Sequence, residues 1–154
     1  MDIRPATSRD MTDIAMVHRS SIEVTCAGAY TRDQIASWLS ALHDDAYPML
    51  LATHEIFVAD AGGSVEGFGV YDRARSFINA TYVTPTRARH GIGTALVAAM
   101  EASARASGAK AIDLHATRNA VTFYERIGYE RRGDTVNRLP TGVELPCVAM
   151  TKRL

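Results

Sequence analysis

Val83-Thr84-Pro85-Thr86-Arg87-Ala88-Arg89-His90-Gly91-Ile92-Gly93-Thr94-Ala95-Leu96 is the stretch whose reading decides the fold. It opens as the end of an apolar strand, Pro85 stops that strand, a basic turn follows, and a helix starts behind two glycines. The first backbone N–H groups of a helix lack intrahelical acceptors and carry the positive end of the macrodipole. A pyrophosphate can therefore replace the missing partners. Gly91 and Gly93 put no Cβ between the backbone and such a ligand, while Arg87, Arg89 and His90 add positive charge. An ordinary tight turn before a helix uses the same glycines, so the glycines alone leave both readings open.

Two commoner phosphate motifs are excluded. The chain has no Gly-x-x-x-x-Gly-Lys-Ser/Thr run, and the dinucleotide fingerprint requires a glycine where Leu96 stands. What remains, Val-x-Pro followed by Gly-Ile-Gly-x-x-Leu, resembles the acetyl-CoA loop of the GCN5-related N-acetyltransferases. A second stretch, Asn119-Ala120-Val121-Thr122-Phe123-Tyr124-Glu125-Arg126-Ile127-Gly128-Tyr129, resembles the other recurring signature of that family, Asn-x-x-x-Phe-Tyr-x-x-x-Gly-Phe/Tyr. Both signatures occur in the family's order and separation, and the resemblance spans roughly residues 2 to 152. The chain departs from the family at Ala88, where an Arg or Gln is usual, leaving Arg87 or Arg89 to substitute. Tyr30 to Trp38 adds a looser similarity to the YafP-like bacterial group.

The bulk properties fit that reading. A chain of 154 residues with 47% hydrophobic content suits one domain, residues 1 to 154, with a core that needs no metal or disulfide. Seventeen basic residues balance seventeen acidic ones, so no global field draws the protein to nucleic acid or to a membrane surface. Cys26 and Cys147 form no CxxC pair, so neither a disulfide framework nor a metal site is indicated. With no apolar leader and no long apolar run, the expectation is a cytoplasmic protein, monomeric or a homodimer.

Taken in order, Ile3 belongs to a short strand, and Thr7-x-x-Asp10 caps a helix through Met11, Ile14, Ala15 and His18. A loop follows through Glu23, Cys26, Gly28 and Tyr30. Thr31-x-x-Gln34 then caps a helix whose Ile35, Trp38, Leu39 and Leu42 repeat at helical spacing. His18 reads as a half-buried helix residue. Strands are expected at 55–60, 65–71 and 77–83, with Gly62-Gly63 as a hairpin turn. A helix follows from Ile92 to Gly108, then a strand at 111–116, a short helix at 119–127, and two strands near 129–138 and 144–152. The fold class is mixed α/β: a mostly antiparallel sheet of six to seven strands flanked by about four helices.

Acyl transfer from a thioester to an amine needs a neutral nucleophile, stabilisation of the oxyanion, and a proton for the departing thiolate. The resemblance implies acetyl-CoA as co-substrate, a small amine as acceptor, and cofactor contacts from Tyr82, Val83, Arg87, Arg89, His90, Gly91, Ile92, Gly93 and Thr94. It also implies Tyr124 as proton donor to sulfur; a phenol of pKa ~10 is protonated at neutral pH. Asn119 either contacts the cofactor arm or caps its helix. The family's strand glutamate is absent from Phe77 to Val83, so the base is sought elsewhere. His115, of opposite strand parity to Ile112 and Leu114 and with a reference pKa of about 6.5, is one candidate, Glu23 is another, and a water chain is a third. Glu23, Cys26, Tyr30 and Trp38 either wall an acceptor pocket or belong to the core. A non-catalytic acyl-CoA-binding module and a protein N-terminus or lysine acetyltransferase are the alternatives.

Overall fold

The computed structural model describes residues 1–154. Alternating runs form seven strands: β1 (Asp2–Pro5), β2 (Glu55–Asp60), β3 (Val65–Asp72), β4 (Phe77–Val83), β5 (Ala111–Thr117), β6 (Glu130–Arg138) and β7 (Glu144–Arg153). They make one sheet in the order β1-β2-β3-β4-β5-β7-β6. Every pairing is antiparallel except β4 with β5. A helical crossover after the meander demands that exception.

Five helices cover the sheet: α1 (Met11–Ser20), α2 (Arg32–Ser40), α3 (Ala46–Thr53), α4 (Ile92–Ala106) and α5 (Val121–Arg126). That is one more than expected. α3 went unrecognised because Ala46-Tyr47-Pro48-Met49-Leu50-Leu51-Ala52-Thr53 is apolar nearly throughout and shows no stripe. The expected loop after α1 is also corrected, because residues Ser21–Thr25 continue it as one wide π-type turn. The capping box at α2 forms in full: Thr31 Oγ1 accepts from Gln34 N–H at 3.1 Å, and Gln34 Oε1 accepts from Thr31 N–H at 2.9 Å.

α4 and α5 lie on one face of the sheet, and α1 and α3 on the other. α4 comes close because β3 carries glycines beneath it. A Cβ on Gly69 would stand 2.7 Å from Met100 Cε, and one on Gly67 would stand 3.0 Å from Ile92 Cγ2. Met100 and Leu96 are thereby fully buried, each contributing about 1.5–3 kcal/mol by burial. Glu101, buried on the same helix, accepts from Lys152 Nζ at 2.9 Å and from Tyr129 Oη at 3.0 Å, which ties α4 to β7.

On the opposite face, Ile14, Val17, Tyr47 and Phe68 form a second core. Beside it, α2 packs Trp38 with Ile22, Cys26 and Tyr30 against Leu139 and Leu145 of the last hairpin. No helix is long and apolar enough to cross a membrane.

Candidate active site

One inserted residue shapes the site. Pairing of β3 with β4 steps from Val70–Ala80 to Tyr71–Ile78, so Asn79 is a bulge with no partner on β3. The bulge reverses the alternation along β4. Ile78, Thr81 and Val83 face α4 and α5, while Ala80 and Tyr82 turn to the α1 face. β4 also leaves β5 here. The two strands pair only at Phe77–Asp113 and Ile78–Leu114, whereas β5 stays paired with β7 as far as Thr117–Cys147. A wedge opens between residues 79–83 and the end of β5, with unpaired backbone groups along its sides.

At the mouth of the wedge, the chain leaves β4 through the tight turn Pro85–Arg87 into α4. Arg87 and Ala88 N–H groups bond back into that turn, and Ala95 N–H is the first to reach a helical acceptor, Gly91 O, at 3.0 Å. The N–H groups of Ile92, Gly93 and Thr94 are left to face outward, as at any helix start. Gly91 has φ +80°, and Arg89, beside it, has φ +63°. Arg87, Arg89 and His90 are exposed on this turn. His90 Nδ1 lies 2.8 Å from Ala88 O, which bends its ring back over the loop.

The two glycines have different reasons. Gly91 meets nothing within 4 Å, and its left-handed backbone is what excludes a side chain. A Cβ on Gly93 would stand 3.1 Å from Phe123 Cζ, so that glycine is required by the packing of α5 on α4. Through this contact the two sequence signatures touch one another.

Inside the wedge, Tyr124 is 6% exposed and packs against Phe123 and Tyr129 at ring distances of 4.9 and 5.5 Å. Burial pushes its phenol up to about 12, and the Thr81 hydroxyl lies nearby. That hydroxyl is an orphan, because Thr81 Oγ1 is buried and forms no hydrogen bond. An unsatisfied buried hydroxyl costs about 1–3 kcal/mol and calls for an explanation. A polar ligand in the wedge supplies one. Asn119 is exposed just beyond β5, near the Cys26 thiol, which burial pushes up to about 11.

Across the sheet from Tyr124 lies a cavity of about 300 Å³. Tyr30, Trp38, Phe77 and Tyr82 give it aromatic walls, and Asn79, Thr117 and Asn137 give it polar ones. The Tyr30 hydroxyl is already engaged, donating to Pro146 O at 2.6 Å and accepting from Arg118 N–H at 3.1 Å, so Tyr30 offers its ring only. Tyr82 packs on His18 at a ring distance of 4.6 Å, and burial holds its phenol well above the ordinary value. Ser21 Oγ donates to Val83 O at 2.9 Å, pinning the π-type turn to the end of β4. Arg75 and His115 stand where the cavity opens into a wider groove of about 1030 Å³ over β5, β7 and β6.

The structure thus brings Tyr30, Trp38, Tyr82 and His115 to one cavity and Tyr124 to the wedge behind it. Cys26 is buried behind the wall and does not line the cavity; Cys147, on β7, does. Glu23 is exposed on the π-type turn and lines neither cavity nor groove, so it is withdrawn as a base. Thr81, Phe77, Asn79, Asn137 and Arg75 were missed. An alternating pattern does show which strand residues share a face, but the bulge at Asn79 shifts that pattern, and nothing in the sequence marks it.

A mixed sheet split beside its parallel pair, with a helix N-terminus at the mouth of the split and a small cavity behind it, defines the class of domain. Residues 26–154 match the family model described as acetyltransferase (GNAT) domain, and the chain belongs to that family. It is similar to a GCN5-related N-acetyltransferase from Rhodopseudomonas palustris at 28% identity and a TM-score of 0.93, covering 99% of this chain and 95% of that one. PaiA N-acetyltransferase from Thermoplasma acidophilum, solved in complex with coenzyme A, superposes at a TM-score of 0.81 with 21% identity, covering 99% and 98% of the chains. YncA from Salmonella typhimurium, solved with its cofactor acetyl-CoA, gives 0.68 with 20% identity, covering 100% and 94%. No curated protein sequence matches the chain.

Proposed function

We propose that the protein is an N-acetyltransferase that moves the acetyl group of acetyl-CoA to a primary amine, by direct attack with both substrates bound. The observation that carries this is the orphaned Thr81 hydroxyl in a wedge that runs from Tyr124 on one face of the sheet to an amine-sized cavity on the other. The coenzyme A and acetyl-CoA bound by the similar structures lend support. The N-terminus of α4 would hold the pyrophosphate, with Arg87 and Arg89 beside it, and a backbone N–H on the open side of β4, at Tyr82 or Val83, would hold the thioester carbonyl.

The balance of the step follows from the two faces. The amine nitrogen, entering from the cavity, forms a bond to the acetyl carbon as the carbon–sulfur bond breaks. Tyr124, held protonated by burial, supplies a proton to the sulfur from the opposite face. His115, on the cavity side, takes the proton that the amine loses. Acid and base are kept apart by the sheet itself, so neither can quench the other.

A small-molecule acceptor suits the cavity. One observation favours the alternative of a non-catalytic acyl-CoA-binding module: no carboxylate lines the cavity to serve as base. Two measurements decide. Acetyl-CoA at a hundredfold excess over Kd should stabilise the fold by about 2.7 kcal/mol in thermal unfolding, and a panel of primary amines should release CoA. Stabilisation by ATP or NAD but not by acetyl-CoA refutes the whole reading, and binding without CoA release from any amine selects the module.

A further inference from the structure

We propose that the acceptor amine also carries a carboxylate, which Arg75 recognises, so that the substrate class is an amino acid with an apolar side chain; the inference rests on the acetyltransferase reading. The charge at the cavity is one-sided. Of the residues that line it, Arg75 alone carries a permanent charge, His115 is titratable, and none is acidic. An oligoamine finds no carboxylate there to pair with its second ammonium. An anionic substituent meets a guanidinium.

Arg75 is free to serve and held in place to do so. It forms no ion pair, and its guanidinium stacks over the Phe77 ring with Cζ 4.6 Å from the centroid. The turn that presents it is fixed at both ends. Asp72 Oδ1 accepts from Arg75 N–H at 3.2 Å. Ser76, next in the chain, is in the left-handed region at φ +49°, unusual for a residue with a side chain. Two bonds to β5 hold it so: its hydroxyl donates to Ala111 O at 2.5 Å, and its carbonyl accepts from Asp113 N–H at 3.0 Å. A strained residue clamped beside a cavity is a common device for holding a binding group. The guanidinium fork suits a carboxylate, and the rings of Tyr30, Trp38 and Phe77 suit an apolar body.

The test uses L-phenylalanine, L-phenylalaninamide, phenethylamine and putrescine as acceptors, with the full chain and with its Arg75→Ala and Arg75→Lys variants. For the unmodified protein, kcat/KM for L-phenylalanine should exceed that for phenethylamine and the amide on the order of 10- to 100-fold, the worth of a charge-assisted pair. Arg75→Ala should erase the preference, lowering kcat/KM for L-phenylalanine on the order of 10- to 100-fold more than that for phenethylamine, and Arg75→Lys should restore part of it. Binding of the same compounds to the CoA-loaded protein, read by calorimetry, gives the same ranking without needing turnover. Preference for putrescine or phenethylamine, or an equal loss for acid and amide in Arg75→Ala, overturns the proposal while the acetyltransferase reading survives. Failure of acetyl-CoA to bind overturns that reading instead.

Discussion

Tyr124→Phe isolates one oxygen atom. The ring remains between Phe123 and Tyr129, and the hydroxyl removed forms no hydrogen bond with Thr81, whose Oγ1 is itself without a partner. Stability near neutral pH should therefore hold or rise by up to about 1 kcal/mol, a Tm change of roughly 2–4 °C for a chain of this size. Turnover should behave differently, because a lost general acid typically lowers the rate 10²- to 10⁴-fold, or about 3–5 kcal/mol of barrier. Acetyl-CoA affinity should barely move, since the proton matters as charge develops on sulfur. The raised phenol gives an independent readout. The native form holds its proton up to about pH 12 while the unfolded chain releases it near 10. Stability is thus intact below pH 10 and falls as pH rises toward 12, by up to about 3 kcal/mol, and the Phe variant should lack that share of the loss. The assay is paired: calorimetry for acetyl-CoA, single-turnover CoA release with the best amine, and urea unfolding at pH 8 and 11. Undiminished single-turnover rates in the variant refute the acid role; a loss of acetyl-CoA affinity matching the loss of rate shows the hydroxyl to be a binding group.

Gly91→Val and Gly93→Val should separate by phenotype. The first forces a branched residue to φ +80° at the cofactor turn and should raise the KM for acetyl-CoA, whereas the second meets Phe123 and should cost about 1–3 kcal/mol of stability. Phe123→Ala should restore part of the Gly93→Val loss in urea unfolding, and strict additivity of the two changes would count against the contact. His18 is held near 4 by burial, so its contribution is complete above about pH 6.5 and is lost as pH falls toward 4. At pH 5 the loss should reach about 2 kcal/mol, and His18→Gln should remove that acid sensitivity; equal slopes for both proteins in urea unfolding between pH 7 and 5 would reject the assignment.

The strands and α4 were legible because their physics is local: alternation, paired glycines at turns, and a stripe at helical spacing ended by Gly108. α3 was not, because a nearly uniform apolar run carries no period. At the site, the turn from Pro85 to Thr94 and the placement of Tyr124 could be read from motif and spacing. The cavity could not. Its walls come from α2, the 73–76 turn, β4, β5 and the last hairpin, and only tertiary packing gathers them. Glu23 was a fair candidate by chemistry, yet the π-type turn points it to solvent, and such a turn leaves no mark that separates it from a loop.

The bulge at Asn79 has a consequence for how this strand can change. Past it, Thr81 and Val83 face α4 and α5 while Ala80 and Tyr82 face the α1 side, so a substitution at Tyr82 changes the cavity wall without touching Thr81 or Val83. A deletion at Asn79 would leave both sets on their faces, because Ala80 keeps Val70 and Tyr82 keeps Phe68 opposite it, and would take out only the bulge that parts β4 from β5. Side chains past the bulge are thus aimed by their partners on β3 and not by their count along β4.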